Sequence, residues 1–240
     1  MGNKLELYGF NNLTKSLSFN TYGVCCAKSE EERKRYTARV NERCNSERLA
    51  GILYGVADAI GAQVLNVSRQ DYHPQGASVT FLIAEGPLEE GPGGGGAGET
   101  LLGHLDKSHI TVHTYPEWHP RSSVATFRAD IDVSTCGEIS PLGALDYLIG
   151  SFDPDILTLD YRVRGFTRDV DGTKVFLDHE ITSIQDFIAP EILAHYDAMD
   201  INTYRCNLFH TRLCKKESGP HNACLRREMT EICNGANLSQ

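Results

Sequence analysis

No apolar run in the sequence approaches the roughly 20 residues that a membrane-spanning helix needs. Its opening, MGNKLELYGFNNLTKSLSF, has no continuous hydrophobic stretch of the kind a secretory signal carries. A cytoplasmic protein with no membrane partner is therefore expected. A basic excess is missing too: 23 Lys and Arg stand against 32 Asp and Glu, a formal net charge of −9. That balance argues against broad nucleic-acid binding, which needs a basic face. Eight cysteines are present, but none forms a Cys-x-x-Cys pair, so reduced thiols are expected. Cys206, Cys214, Cys224 and Cys233, with His210 and His221 among them, have spacings that fit no zinc pattern. They read as partly buried thiols on a C-terminal helix and tail. Internal repeats are absent.

What remains is the composition of a globular protein. Of 240 residues, 40% are hydrophobic and 23% charged, enough to bury a sizeable core in one domain spanning residues 1–240. Residues 29–60 read as two helices, the first capped by Ser29 with acids in its first turn, the second ending near Gly61. AQVLNVSR and GASVTFLIAEG follow as strands across a turn. Residues 86–99 form the one low-complexity segment, a flexible glycine linker.

Beyond it SHITVHTYPE and VATFRADIDVSTCG alternate with period two. SPLGALDYLIGSF reads as a helix with Ser140 as N-cap and Pro141 at its first position. Antiparallel strands are expected over residues 155–181, with Asp171-Gly172 as a hairpin signal, and SIQDFIAPEILAHYD as a helix interrupted at Pro190. The fold class is α+β: a sandwich in which helices cover a mostly antiparallel sheet.

The stretch GHLDKSHITVHTYPEWHP poses a question of its own, because a strand starts at Ser108 directly after the linker. Cutting the Lys107–Ser108 bond would make Ser108 a new chain end. On residue type alone, an ordinary loop entering a strand explains the pattern more simply.

A resemblance alters that balance. DKSHITVHTYPE, with ADIDVSTCG downstream and YHPQGAS upstream, resembles bacterial S-adenosylmethionine decarboxylase proenzymes. KLELYGFNNLTKSLSF and LDYRVRGFTRDVDG are similar to the branch usually described as magnesium-dependent. The resemblance runs from about residue 4 to about residue 213. It implies that the Ser108 hydroxyl attacks the Lys107 carbonyl, that the resulting ester eliminates, and that position 108 hydrolyses to a pyruvoyl cofactor. The products would be a β chain of residues 1–107 and an α chain of residues 108–240. The pyruvoyl ketone would capture the substrate amine and take up the electrons left by CO₂. The implied reaction converts S-adenosylmethionine to the aminopropyl donor for spermidine synthesis.

Residue by residue, His113 matches the processing base and Cys136 the proton donor of turnover. Ser78 matches a hydroxyl assisting the acyl shift, Tyr72 an aromatic ring against adenine, and Glu117 a carboxylate for the ribose hydroxyls. Magnesium is carried as an implied ion with its ligands unknown.

Strand geometry adds a constraint. Five extended residues span roughly 16 Å, and odd offsets point to opposite faces, so His113 does not readily reach Ser108 of its own chain. Two-fold symmetry resolves this: Ser108 and Cys136 of one protomer would meet Tyr72, Ser78, His113 and Glu117 of another, with the sheets packing across a dimer. A homo-oligomer, dimer or tetramer, is expected. The rival readings are a pyruvoyl decarboxylase of arginine or ornithine, and an unprocessed regulatory homologue.

Overall fold

In the computed structural model, residues 12–85, 108–119, 121–216 and 223–234 are described. The glycine linker and Lys107 lie outside them. An eight-stranded sheet runs in the order β2-β3-β4-β5-β1-β6-β10-β9, and every pairing in it is antiparallel. Its strands are β1 (Thr14–Cys26), β2 (Ala62–Asp71), β3 (Ala77–Glu85), β4 (His109–Trp118), β5 (Val124–Cys136), β6 (Ile156–Arg164), β9 (Tyr196–Asp200) and β10 (Leu208–Lys215). The helices are α1 (Glu30–Arg43), α2 (Ser46–Ile60), α3 (Leu145–Phe152), α4 (Pro190–Leu193) and α5 (Ala223–Asn234). The α+β reading of the sequence holds.

Period-two patterning assigns the two faces. Leu17 and Phe19 of β1, Val79 and Phe81 of β3, Ile110 and Val112 of β4, and Ile131 and Val133 of β5 are buried in one core. Leu49, Leu53 and Val56 of α2 and Leu145 and Leu148 of α3 close it. Their neighbours in sequence point the other way and are polar: Ser16 and Ser18, Ser78 and Thr80, Thr111 and His113, Asp130 and Asp132. A slip of one residue in any of these pairings would turn a whole apolar row into water, so the register is strongly fixed.

Helix boundaries follow from capping. The Ser29 hydroxyl accepts from Glu32 N while the Glu32 carboxylate accepts from Ser29 N, a reciprocal capping box. Gly61 ends α2 at φ +73°, a left-handed conformation suited to glycine.

Several expectations need correction. The stretch after Ser140 opens as a 3₁₀ turn (Pro141–Ala144) before α3, and the Ser140 hydroxyl makes no capping bond. Pro190 begins the short α4, and Tyr196 and Asp197 belong to edge strand β9 instead of continuing a helix. The Asp171-Gly172 signal closes only a two-residue hairpin, β7 (Thr167–Arg168) with β8 (Lys174–Val175). Cys206 lies in a 3₁₀ turn and Cys214 on β10, leaving only Cys224 and Cys233 on a C-terminal helix. β1, between β5 and β6, is a strand beyond those expected, and KSLSFNTY within it alternates cleanly.

One buried hydroxyl locks β4 to the entrance of β3. Thr114 Oγ1 accepts from Ala77 N at 2.7 Å and donates to Ala77 O at 3.1 Å. Thr114→Val keeps the shape and strands both backbone groups, so stability should fall by about 1–3 kcal/mol, measured by urea unfolding.

Candidate active site

Ser108 occupies the position immediately before β4 and is 1% exposed. Its carbonyl accepts from Ile83 N on β3, which fixes the backbone at the strand entrance. Its hydroxyl lies 3.2 Å from the thiol of Cys136, the last residue of β5. β5 and β4 are antiparallel, with His109 opposite Ser134. The end of one strand therefore meets the beginning of the other, and two residues 28 apart in sequence share one corner.

The other expected residues gather elsewhere. Ser78 on β3 is the cross-strand partner of His113 on β4, and His113 is the partner of Asp130 on β5. Directly opposed residues on antiparallel strands have Cβ atoms roughly 5 Å apart, so this row is compact. From Asp130 to Cys136 is six residues along β5, roughly 20 Å. Within one chain, then, Ser108 and Cys136 form one cluster and Ser78 and His113 a second, both on the same sheet. Cys136 shares strand parity with Asp130 and so projects from the polar face that carries His113.

Glu117 stands four residues beyond His113 on that face, exposed, with its carboxylate accepting from Thr126 Oγ1 at 3.2 Å. Its backbone N–H donates to the hydroxyl of Tyr36, which in turn donates to Thr126 O, so α1 steadies this end of β4. Tyr72 follows β2 in the turn closed by Tyr72 N donating to Gly76 O, and its ring is 40% exposed. An exposed aromatic ring on a short tied turn suits stacking against a flat ligand.

Asp130 was not singled out from sequence. It pairs with Arg128 at 3.0 Å, and that guanidinium also stacks over Tyr115 at 4.2 Å. Burial raises the Asp130 carboxyl above its ordinary value, outweighing the pull of Arg128 and the nearby His113. The alternation of ADIDV places Asp130 only on the polar face; its position opposite His113 is set by the β4–β5 register.

A cavity of 830 Å³ opens elsewhere, lined by Arg39 and Arg43 of α1, Arg48 of α2, Cys25 and Cys44. None of the expected site residues lines it. Burial pushes the Cys44 thiol up to about 11, which marks a structural thiol. Among the described residues, no group of three or more His, Cys, Asp or Glu is arranged to hold a metal ion.

Fold and site together define an α+β protein with a serine hydroxyl held against a thiol at a strand entrance. The family model described as S-adenosylmethionine decarboxylase matches residues 37–165. The chain is 61% identical over 240 residues to the S-adenosylmethionine decarboxylase proenzyme of Clostridium beijerinckii, covering 96% of this chain and 89% of that one. It is 62% identical to the proenzyme of Clostridium botulinum strain Eklund 17B, covering 96% and 88%. The proenzyme of Alkalilimnicola ehrlichii is 55% identical over 264 residues, covering 99% and 97%. The chain belongs to the S-adenosylmethionine decarboxylase family.

Asp130 offers a test of where the polar face sacrifices stability. A carboxyl whose folded pKa is raised binds its proton more tightly when folded. The resulting penalty is absent below the ordinary carboxylate value and complete above the raised one. Asp130→Asn should therefore raise the urea midpoint at pH 7, lose that advantage near about pH 3, and slow chain cleavage or turnover.

Proposed function

We propose that this chain is a self-processing S-adenosylmethionine decarboxylase, with Ser108 as the residue that becomes its cofactor. The observation that carries the reading is the Ser108 hydroxyl, 1% exposed at a strand entrance and 3.2 Å from the Cys136 thiol. A hydroxyl in that position is shielded from water, which would otherwise compete with it for the Lys107 carbonyl.

Cleavage starts when Ser108 Oγ attacks the Lys107 carbonyl carbon and the amide becomes an ester. His113 of a second protomer removes the Ser108 α-proton, the Cβ–Oγ bond breaks, and residues 1–107 are released as a chain ending in the Lys107 carboxylate; the dehydroalanine left at position 108 then takes up water and loses ammonia, which leaves the pyruvoyl ketone. Ser78, beside His113 in the cross-strand row, donates a hydrogen bond to the oxyanion of the acyl shift. When formed, a pyruvoyl group at position 108 supplies an electrophilic carbonyl that captures the substrate amine and accepts the electron pair released with CO₂.

The remaining work falls to side chains. Cys136 delivers a proton to the substrate carbon, its sulfur being already held at position 108. The exposed ring of Tyr72 stacks on the adenine, and Glu117 accepts hydrogen bonds from the ribose hydroxyls. Separation of the two clusters by roughly 20 Å along β5 favours a two-fold dimer with polar faces opposed. Each site then takes Ser108 and Cys136 from one protomer and the Ser78–His113 row, Tyr72 and Glu117 from its partner. The active species is a homo-oligomer of cut protomers.

The test is direct. Mass spectrometry of the purified protein should show an α chain beginning at position 108 with a pyruvoyl group, and CO₂ should be released from S-adenosylmethionine but not from arginine or ornithine. Ser108→Ala should remain a single chain of 26.6 kDa, and Ser108→Cys should cut slowly. An intact, inert parent chain would point instead to a regulatory homologue. Release from a free amino acid alone would move the substrate assignment.

A further inference from the structure

The strand that delivers Cys136 ends there, and Glu138 and Ile139 in the turn after it are held by several side chains. Gly137, at φ +79°, turns the chain into Glu138 and Ile139. The carboxylate oxygen Oε1 of Glu85, at the end of β3, accepts from Glu138 N at 2.8 Å and from Ile139 N at 3.1 Å. From β1, Lys15 Nζ donates to Glu138 O at 3.1 Å. Thr135 Oγ1 donates to Ile139 O at 3.0 Å. Both peptide units of the turn are thus fixed by side chains reaching in from two other strands.

Lys15 is the unusual member. It lies opposite Thr135 in the β1–β5 ladder and is 1% exposed. A buried ammonium is tolerated only where its charge and its protons are answered. Asp178 Oδ2 answers the charge at 2.9 Å and is itself held by the Tyr161 hydroxyl at 3.2 Å. A cation this deeply desolvated does not serve solubility. Among the described residues, the backbone group it holds is the carbonyl two residues after the site thiol.

We infer that Lys15 and Glu85 are positioning residues that clamp the Cys136 turn and so aim its thiol at position 108. The inference rests on the role proposed above for Cys136 and adds to it. Lys15 and Glu85 both precede Lys107, whereas the turn they hold follows Ser108. After cleavage they belong to one fragment and the thiol to the other, so the clamp keeps the geometry once the covalent link is gone. Aim matters because the proton has two destinations. Delivered to the substrate carbon, it completes the amine product. Delivered to the carbon at position 108, it releases an aldehyde after hydrolysis and leaves an alanine there, ending the life of the cofactor.

The experiment compares parent, Glu85→Ala, Glu85→Gln, Lys15→Met and Cys136→Ala, each checked for folding by urea unfolding. Two quantities are read: turnovers completed before α chains acquire alanine at position 108, and the rate of Cys136 alkylation by iodoacetamide in the cut enzyme, mapped by mass. In Glu85→Ala, whose site is exposed, turnovers per inactivation should fall about tenfold and Cys136 alkylation should change severalfold. Glu85→Gln, which keeps the accepting oxygen, should stay near the parent. Lys15→Met should show the same loss if it folds; if it does not, the Glu85 pair decides. Parental partition and parental alkylation in a folded Glu85→Ala protein would overturn the clamp. If Cys136→Ala itself partitions like the parent, the proton-donor role fails. The alkylation rate then decides the clamp by itself, a parental rate in Glu85→Ala overturning it.

Discussion

Everything in this molecule depends on the register of β4 between β3 and β5. Period-two alternation buries Ile110 and Val112 beneath the helices, and the odd-numbered residues of β4 are thereby committed to the polar face. His113 is one of them. Its neighbours in the row, Ser78 and Asp130, are set by the same ladder hydrogen bonds. A chemical row built this way needs no loop to hold it, and it is as rigid as the core on the other side of the sheet. The same ladder brings the start of β4 to the end of β5, which is why Ser108 and Cys136 touch.

Sheet topology also explains how such a chain could survive being cut. Residues before Lys107 supply β1, β2, β3, α1 and α2, and those after Ser108 supply the remaining strands. The two sets interleave: β1 sits between β5 and β6, and β3 pairs with β4. Breaking one peptide bond at a strand entrance removes none of these ladders. The buried apolar rows of both parts stay in one core, so the driving force for association is the one that folded the intact chain.

Much of this was legible in the sequence, and the failures have physical causes. The two N-terminal helices were readable because capping residues and apolar spacing agreed at Ser29 and Gly61. β2 to β5 were readable because one buried face against one polar face produces clean alternation. β1 alternates equally well, with Leu17 and Phe19 buried and Ser16 and Ser18 on the polar face. The helix expected over residues 183–197 with an interruption at Pro190 is reduced to a 3₁₀ turn and the short α4, because helical propensity beyond it is overridden by pairing of β9 with β10. Of the site, Ser108, His113 and Cys136 stood out through the resemblance. Asp130, Lys15 and Glu85 did not, since what distinguishes them is a cross-strand neighbour or a burial that only the assembled sheet reveals.

The central claim is that the scissile serine and its base come from different protomers, and mixing two defective chains tests it most directly. Chains carrying Ser108→Ala and chains carrying His113→Ala would be co-expressed with separate tags and the mixed dimers purified. A two-fold composite site gives each mixed dimer one site with an intact Ser108 and an intact His113, so the His113→Ala chain should be cut, although it is not cut in its own homodimer. With random assortment about half of the His113→Ala chains sit in such dimers. A His113→Ala chain that stays whole in purified mixed dimers, under conditions where the parent is cut, would contradict the account.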